Sequence, residues 1–198
     1  MRQIVAFNRL SADGYFTARD GSLNWTVPEP ELDKTAVQSL GGADTILFGR
    51  RTYEMFESFW PHVLEDSPTA PDPHMPGRRA EEMRALAVWI NDATKIVFSR
   101  NRPEVTWKNS RLERELRPHD IDTMKRQPGH DIMLFGSGSI ASLLTTHGLI
   151  DEYHFIVGPI LLGSGRTLLS DAAESQKLKL VETRPFPMGN VLLRYARA

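Results

Sequence analysis

The chain of 198 residues contains no cysteine. Disulfides, thiolate metal sites and a cysteine nucleophile are therefore excluded, and the composition agrees with a cytoplasmic protein. Charge of one sign is also lacking: the net charge is −1. No field of the kind that draws a protein to nucleic acid or to an anionic membrane is present. No apolar run approaches the ~20 residues of a membrane span. Met1-Arg2-Gln3-Ile4-Val5 passes straight into a strand-like run, without the pattern of a signal peptide. His62 and His74 have no carboxylate cluster at ligand spacing beside them, so no metal site is read. Repeats and low-complexity tracts are missing too. What remains is a hydrophobic content of 40%, enough for one core, and a single domain over residues 1–198.

The most informative stretch is Asp131-Ile132-Met133-Leu134-Phe135-Gly136-Ser137-Gly138-Ser139-Ile140. The apolar run Ile132 to Phe135 reads as a strand buried on both faces. Gly136 and Gly138 then let the backbone turn at once without a Cβ penalty. Ser139 is suited to cap a helix, and Ile140, Leu143 and Leu144 behind it recur at helical spacing. Strand, glycine turn and helix start together form a natural anion site, because unengaged N–H groups and the positive end of the helix dipole suit a phosphate. The same turn also ends strands for purely structural reasons. It is neither a full Gly-x-Gly-x-x-Gly nor a P-loop.

The rest of the chain repeats this grammar. Gln3 to Leu10 is the first strand, closed by Ser11-Ala12-Asp13-Gly14. Tyr15, Phe16 and Trp25 lie in the loop behind it; they either pack that loop down or, in the case of Trp25, cover a bound ring. Thr26-Val27-Pro28-Glu29 matches a capping box, which predicts a helix from about Glu29 to Leu40. Thr45 to Phe48 is a buried strand that runs into Gly49-Arg50-Arg51-Thr52, with Tyr53, Phe56 and Trp60 at helical spacing behind. Residues 61–78 are proline-rich and aperiodic, an irregular surface loop. A helix over 79–91 leads to the strand Lys95–Phe98, which ends in Ser99-Arg100. Val105 and Trp107 suggest a short strand, and 111–127 a broken amphipathic helix. Residues 151–157, 178–183 and 191–195 are the last strands, the final two forming a hairpin. The sum is a three-layer α/β/α domain on a mixed, mostly parallel sheet of about eight strands with a C-terminal antiparallel hairpin.

Ligands of open α/β sheets bind beyond the carboxyl ends of the strands. Here three such ends carry Gly49-Arg50-Arg51-Thr52, Ser99-Arg100 and Gly136-Ser137-Gly138-Ser139, and arginine suits phosphate through its charged, bidentate fork. With Ser11-x-Asp13-Gly14 and Gly148-Leu149-Ile150-Asp151-Glu152 through Pro159-x-Leu161-Leu162-Gly163, the set spans nearly the whole chain. It resembles the dihydrofolate reductase fold and, more closely, the C-terminal reductase domain (the RibD C-terminal domain) of the riboflavin-biosynthesis deaminase-reductase and its stand-alone relatives.

The resemblance implies an NADPH-dependent reductase, a homodimer in the cytoplasm. Position by position, it implies that Gly49, Arg50, Arg51 and Thr52 face the adenosine side with its 2′-phosphate. Ser99 and Arg100 would flank the adenine and its 2′-phosphate, and Gly136, Ser137, Gly138, Ser139 and Ile140 would hold the pyrophosphate. The nicotinamide would lie near Ala6 and Ser11. On the substrate side the riboflavin enzymes carry a lysine where this chain has Phe7 and a glutamate where it has Phe135. Phe7, Phe135 and Trp25 are therefore read as an apolar substrate wall. That suits a small cyclic or carbonyl compound better than the phosphoribosylamino-pyrimidine. Asp13 is the candidate for orienting substrate or relaying a proton, with a turn-forming Asp-Gly as its competing role; Glu29 and Asp33 are the next candidates. A pterin reductase and a non-catalytic NADPH-binding dimer are the alternative functions.

Overall fold

A computed structural model describes residues 1–29, 31–32, 34–36, 42–64, 81–169 and 175–198. The short apolar runs become strands: β1 (Ile4–Ser11), β2 (Ala43–Gly49), β3 (Thr94–Phe98), β4 (Ser110–Glu113), β5 (Asp131–Phe135), β6 (Glu152–Gly158), β7 (Leu178–Pro185) and β8 (Val191–Arg197). The amphipathic stretches become helices: α1 (Arg50–Phe59), α2 (Glu81–Asp92), α3 (Pro118–Arg126) and α4 (Gly138–Thr146). Residues 31–32 and 34–36 are helical as well. The strands form one sheet in the order β4-β3-β2-β5-β1-β6-β8-β7. All pairs from β4 to β6 are parallel, and β8 pairs antiparallel with both β6 and β7.

Parallel strands joined by helical crossovers are covered on both faces, which is why their sequences are continuously apolar. Alternation then divides each run between two cores. Ile4 and Ala6 of β1, Leu47 of β2, Ile96 of β3, and Ile132 and Leu134 of β5 meet Ile121 of α3 and Ile140, Ala141 and Leu144 of α4. Val5, Ile46, Phe48, Val97, Met133 and Phe135 point the other way, onto Tyr53 of α1, Leu86 and Ile90 of α2, and Ala36. Truncating one such side chain costs about 2–5 kcal/mol, against the ~5–15 kcal/mol that holds an ordinary domain together. The two cores thus hold β5 and β1 at the centre of the molecule.

The expected fold holds, including the terminal hairpin, and three boundaries move. Val105 and Trp107 are not in a strand; the fourth strand is Ser110–Glu113. Trp107 is buried, and its indole N–H donates to Asn91 Oδ1. Its apolar character comes from closing the end of a core, while ladder pairing begins after Asn109 turns the chain at φ 59°. The charged stretch 111–127 accordingly divides into that strand and α3. Residues 61–64 of the proline-rich loop continue a 3-10 turn from Trp60. Residues 65–78 of that loop, 79–80 before α2, and 30, 33 and 37–40 of the expected first helix lie outside the described residues.

Lys95 alternates into the second core and is fully buried. Its ammonium donates to the carbonyls of Asn91 and Ala93 and stands 4.5 Å from the centre of the Trp107 ring. Burial, with the nearby Lys108 charge, lowers its pKa from 10.5 to about 8. Because the folded value lies below the unfolded one, the unfolded chain holds the proton more tightly between about pH 8 and pH 10.5. Stability contributed here therefore rises with pH across that window. Relative to Lys95→Met, the wild type should gain about 3 kcal/mol of unfolding free energy between about pH 7 and pH 10.5. Urea titrations of both proteins at the two pH values measure this; equal changes would contradict it.

Candidate functional site

All parallel strands end on the same edge of the sheet, so the loops after β3, β2, β5, β1 and β6 gather there. The register brings them close. Gly49 pairs with Phe98, which sets the start of α1 beside Ser99. Leu47 pairs with Leu134, which sets Gly49 beside the turn after β5. The approach is too tight for side chains. A Cβ at Gly49 would stand 2.0 Å from Ser137 Oγ, one at Gly136 3.0 Å from Thr52 Oγ1, and one at Gly138 2.8 Å from the Leu168 carbonyl oxygen.

The turn itself is strained. Gly136 has φ +54° and Ser137, the N-cap of α4, has φ +57°. A left-handed serine costs roughly 1–2 kcal/mol, and its hydroxyl does not cap the helix. The expectation that Ser139 caps α4 is thus replaced: the helix starts one residue after Ser137. Among the described residues the N–H groups of Ser137, Gly138 and Ser139 have no acceptor. Three amide donors at the positive end of a helix form an anion cradle.

The start of α1 adds charge to this edge. Its first turn carries no acid and begins with Arg50 and Arg51, although cations oppose the dipole at a helix N-terminus. Both side chains are exposed, as is Arg100, and among the described residues none of the three has an ion-pair partner. Two arginines that the sequence did not single out shape the neighbouring loop. Arg102 pairs with Glu54 at 3.2 Å and Glu57 at 2.7 Å. Arg114 donates to the carbonyls of Arg100, Arg102 and Pro103. Ser99 Oγ accepts the Arg102 N–H. Their role comes from contacts made across loops, which local pattern does not carry.

Several expected site residues have other uses. Ala6 is fully buried and paired on one side with Leu134 and on the other with Tyr153. Ser11 is buried; its hydroxyl donates to Asp13 at 2.6 Å and accepts the Tyr15 N–H. The Ile140 side chain belongs to the first core. Phe135 is buried among Phe7, Phe48, Phe56 and Trp89 and forms part of the second core instead of a cleft wall. Half-buried Phe7 and Trp25 remain on that same side of the sheet. Trp25, Thr26, Val27, Arg9, Ile156, Gly158 and Asn190 line a shallow cleft there. Arg9 donates to the Val27 carbonyl.

The Asp13 carboxylate accepts from the Ser11 hydroxyl and from the N–H groups of Leu162 and Gly163, at 2.7 Å for Gly163. The Ser11 hydroxyl first, then those N–H groups, hold its pKa below the ordinary carboxylate value. That makes Asp13 a brace between two loops and unsuited to giving up a proton near neutrality. Glu29 is buried and accepts the Met188 N–H. Asp33 lies outside the described residues. His154 is buried against Glu152 and Arg194, and burial lowers its pKa.

The RibD C-terminal domain family pattern matches residues 2–192. The chain belongs to that family. The Bacillus subtilis (strain 168) protein YyaP, an uncharacterized protein, is 27% identical over 194 residues, covering 98% of this chain and 94% of its own. A putative riboflavin biosynthesis protein from Shewanella sp. PV-4 superposes with a TM-score of 0.73 at 20% identity, over 99% of both chains. Enterococcus faecalis dihydrofolate reductase, solved in complex with NADP(H), superposes with a TM-score of 0.61 at 14% identity over 98% of this chain and 96% of that one. These structural likenesses establish the dihydrofolate reductase-like fold of this family member.

The Gly49–Ser137 contact is open to a double-mutant test. Gly49→Ala should destabilise by about 1–3 kcal/mol through crowding. Ser137→Gly should remove the left-handed strain and be neutral or stabilising by up to about 1 kcal/mol. In the Ser137→Gly background, Gly49→Ala should cost clearly less, because the obstructing hydroxymethyl is gone. Additive melting shifts in the cycle would show that the two loops do not press on one another.

Proposed function

We propose that this protein is an NADPH-dependent reductase acting on a small cyclic or carbonyl compound. The carrying observation is the pairing of three arginines without partners among the described residues, Arg50, Arg51 and Arg100, with the N–H cradle of Ser137, Gly138 and Ser139 on one sheet edge. The 2′-phosphate fits the arginines with Ser99 and Thr52, and the pyrophosphate fits the cradle. The nicotinamide fits the edge of β1 beyond Phe7, where pairing with β5 has ended. NADPH supplies the hydride when bound. The chain's own part is to bind, orient and exclude water. Asp13 holds the first loop against Leu162 and Gly163 at the mouth of this edge.

The substrate side fits the face of Phe7 and Trp25. Phe7 brings no charge to pair with a substrate phosphate, and leaving such a charge unpaired costs several kcal/mol. A weakly polar ring or carbonyl compound suits it better than the phosphorylated pyrimidine of riboflavin synthesis. The pterin alternative calls for a buried acid that faces the ring, whereas Glu29 is engaged by Met188. We also propose a homodimer: β7 is the outer strand of the sheet, with Leu180 53% and Val181 50% exposed along it.

NADPH should bind at least about a hundredfold more tightly than NADH, since each charge-assisted phosphate contact contributes roughly 1.5–3 kcal/mol. Arg50→Ala and Arg100→Ala should each reduce that ratio while leaving the NADH constant unchanged. Titration calorimetry of the three proteins measures both constants, and equal affinities for the two dinucleotides would refute the reading. NADPH oxidation against phosphorylated pyrimidines, pterins and simple carbonyls then separates the substrate classes; efficient turnover of the phosphoribosylamino-pyrimidine would overturn the substrate choice. Light scattering at micromolar concentration should give twice the chain mass, and a monomer would rule out the dimer.

A further inference from the structure

One polar side chain in the centre of the sheet has no use in the fold. Asn8 of β1 is 2% exposed, and neither its Nδ2 nor its Oδ1 has a hydrogen-bond partner among the described residues. Buried polar groups are normally satisfied, and an amide left without partners is costly. An interior strand position of this kind ordinarily takes a valine or isoleucine. A ligand accounts for an asparagine here better than the packing does.

The position of Asn8 narrows the kind of ligand. Alternation puts Asn8 on the face of Ile4 and Ala6, the face that α4 covers. Phe7 with Phe135 is the last pair between β1 and β5. β5 then leaves at Gly136, so Asn8 is the first side chain of β1 on this face beyond the point where the two strands part. It lies below the strained start of α4, where the N–H groups of Ser137, Gly138 and Ser139 have no acceptor among the described residues. Its register neighbour on the same face is Phe155 of β6. Phe16 packs on this face too and comes within 3.2 Å of where a Gly136 Cβ would be. The surroundings are thus aromatic side chains and one amide whose donor and acceptor are both open. A flat ring bearing a primary carboxamide matches that combination, because the two amides satisfy each other in one plane.

We propose that Asn8 binds the carboxamide of the nicotinamide ring, its Nδ2–H donating to the carboxamide oxygen and its Oδ1 accepting from the carboxamide NH2. This rests on the dinucleotide reading under Proposed function. The partly buried Phe16 side chain is what must move aside to admit the ring. Asn8 thereby fixes the rotation of the ring, while the arginines and the glycine turn hold the other end of the molecule.

The test compares NADPH with 2′-phospho-ADP-ribose, which keeps both phosphate sites and lacks the nicotinamide. Asn8→Leu and the smaller Asn8→Val should each weaken NADPH about tenfold and leave 2′-phospho-ADP-ribose unchanged. Without ligand, at least one of the two variants should melt at or above the wild-type temperature, since an unsatisfied amide has been removed. Equal weakening of both ligands, no weakening of either, or a lower melting temperature for both variants would each overturn the role of Asn8 while the wild type still bound both ligands. A wild type that binds neither ligand would remove the dinucleotide reading itself, and the role of Asn8 with it.

Discussion

β1 and β5 run side by side from Ile4 with Ile132 to Phe7 with Phe135, and then they part. That separation is the constraint on which the rest of this edge depends. β1 continues to Ser11 on the support of β6 alone, while β5 leaves through two left-handed residues into α4. Where the strands diverge the sheet cannot satisfy its own backbone, and the start of a helix adds further unengaged donors. The strain at Ser137 is sustained because Gly49, Thr52, Phe16 and Leu168 crowd the turn from three sides.

Electrostatics at the same edge divides the arginines into two groups. Arg102 and Arg114 are tied to Glu54, Glu57 and a row of carbonyls, which gives the loop after β3 its shape. Arg50, Arg51 and Arg100 have no such ties among the described residues, and two of them stand where a helix dipole disfavours cations. Structural charges are paired and the remaining ones face solvent together. A polyanion offers the compensation that this arrangement lacks, and the family to which the chain belongs is consistent with that use.

On the opposite face of β1 the balance is apolar. Phe135 serves the core, joined to Phe48, Phe56 and Trp89, so its apolar character is accounted for by packing. Phe7 stays half-buried at the border, 5.8 Å from the Phe135 ring centre. Asp13 and Glu29, both carboxylates near this region, are occupied in holding loops together. The Asp13 carboxylate, held below its ordinary pKa by the Ser11 hydroxyl and the N–H groups of Gly163 and Leu162, is poorly placed to give up a proton near neutral pH.

Local chemistry was enough to read most of the strands, the glycine turns and the mostly parallel character of the sheet with its antiparallel edge. Apolar runs of four or five residues, helical spacing and glycines at turns are short-range signals, and β2, β3, β5 and α4 carry them plainly. The edge where the arginines and the glycine turn meet was legible for the same reason, since parallel strands have to end together. The partners of each side chain were not legible. Val105 and Trp107 imitate a strand because burial and ladder pairing select the same residue types. That Ala6 is paired on both sides, and that Ser11 and Asp13 are bound to each other, appears only with the register and the folded loop. Asn8 attracts no notice in the sequence. Only the tertiary structure, by burying its amide at the point where two strands part and giving it no partner among the described residues, sets it apart from a surface asparagine.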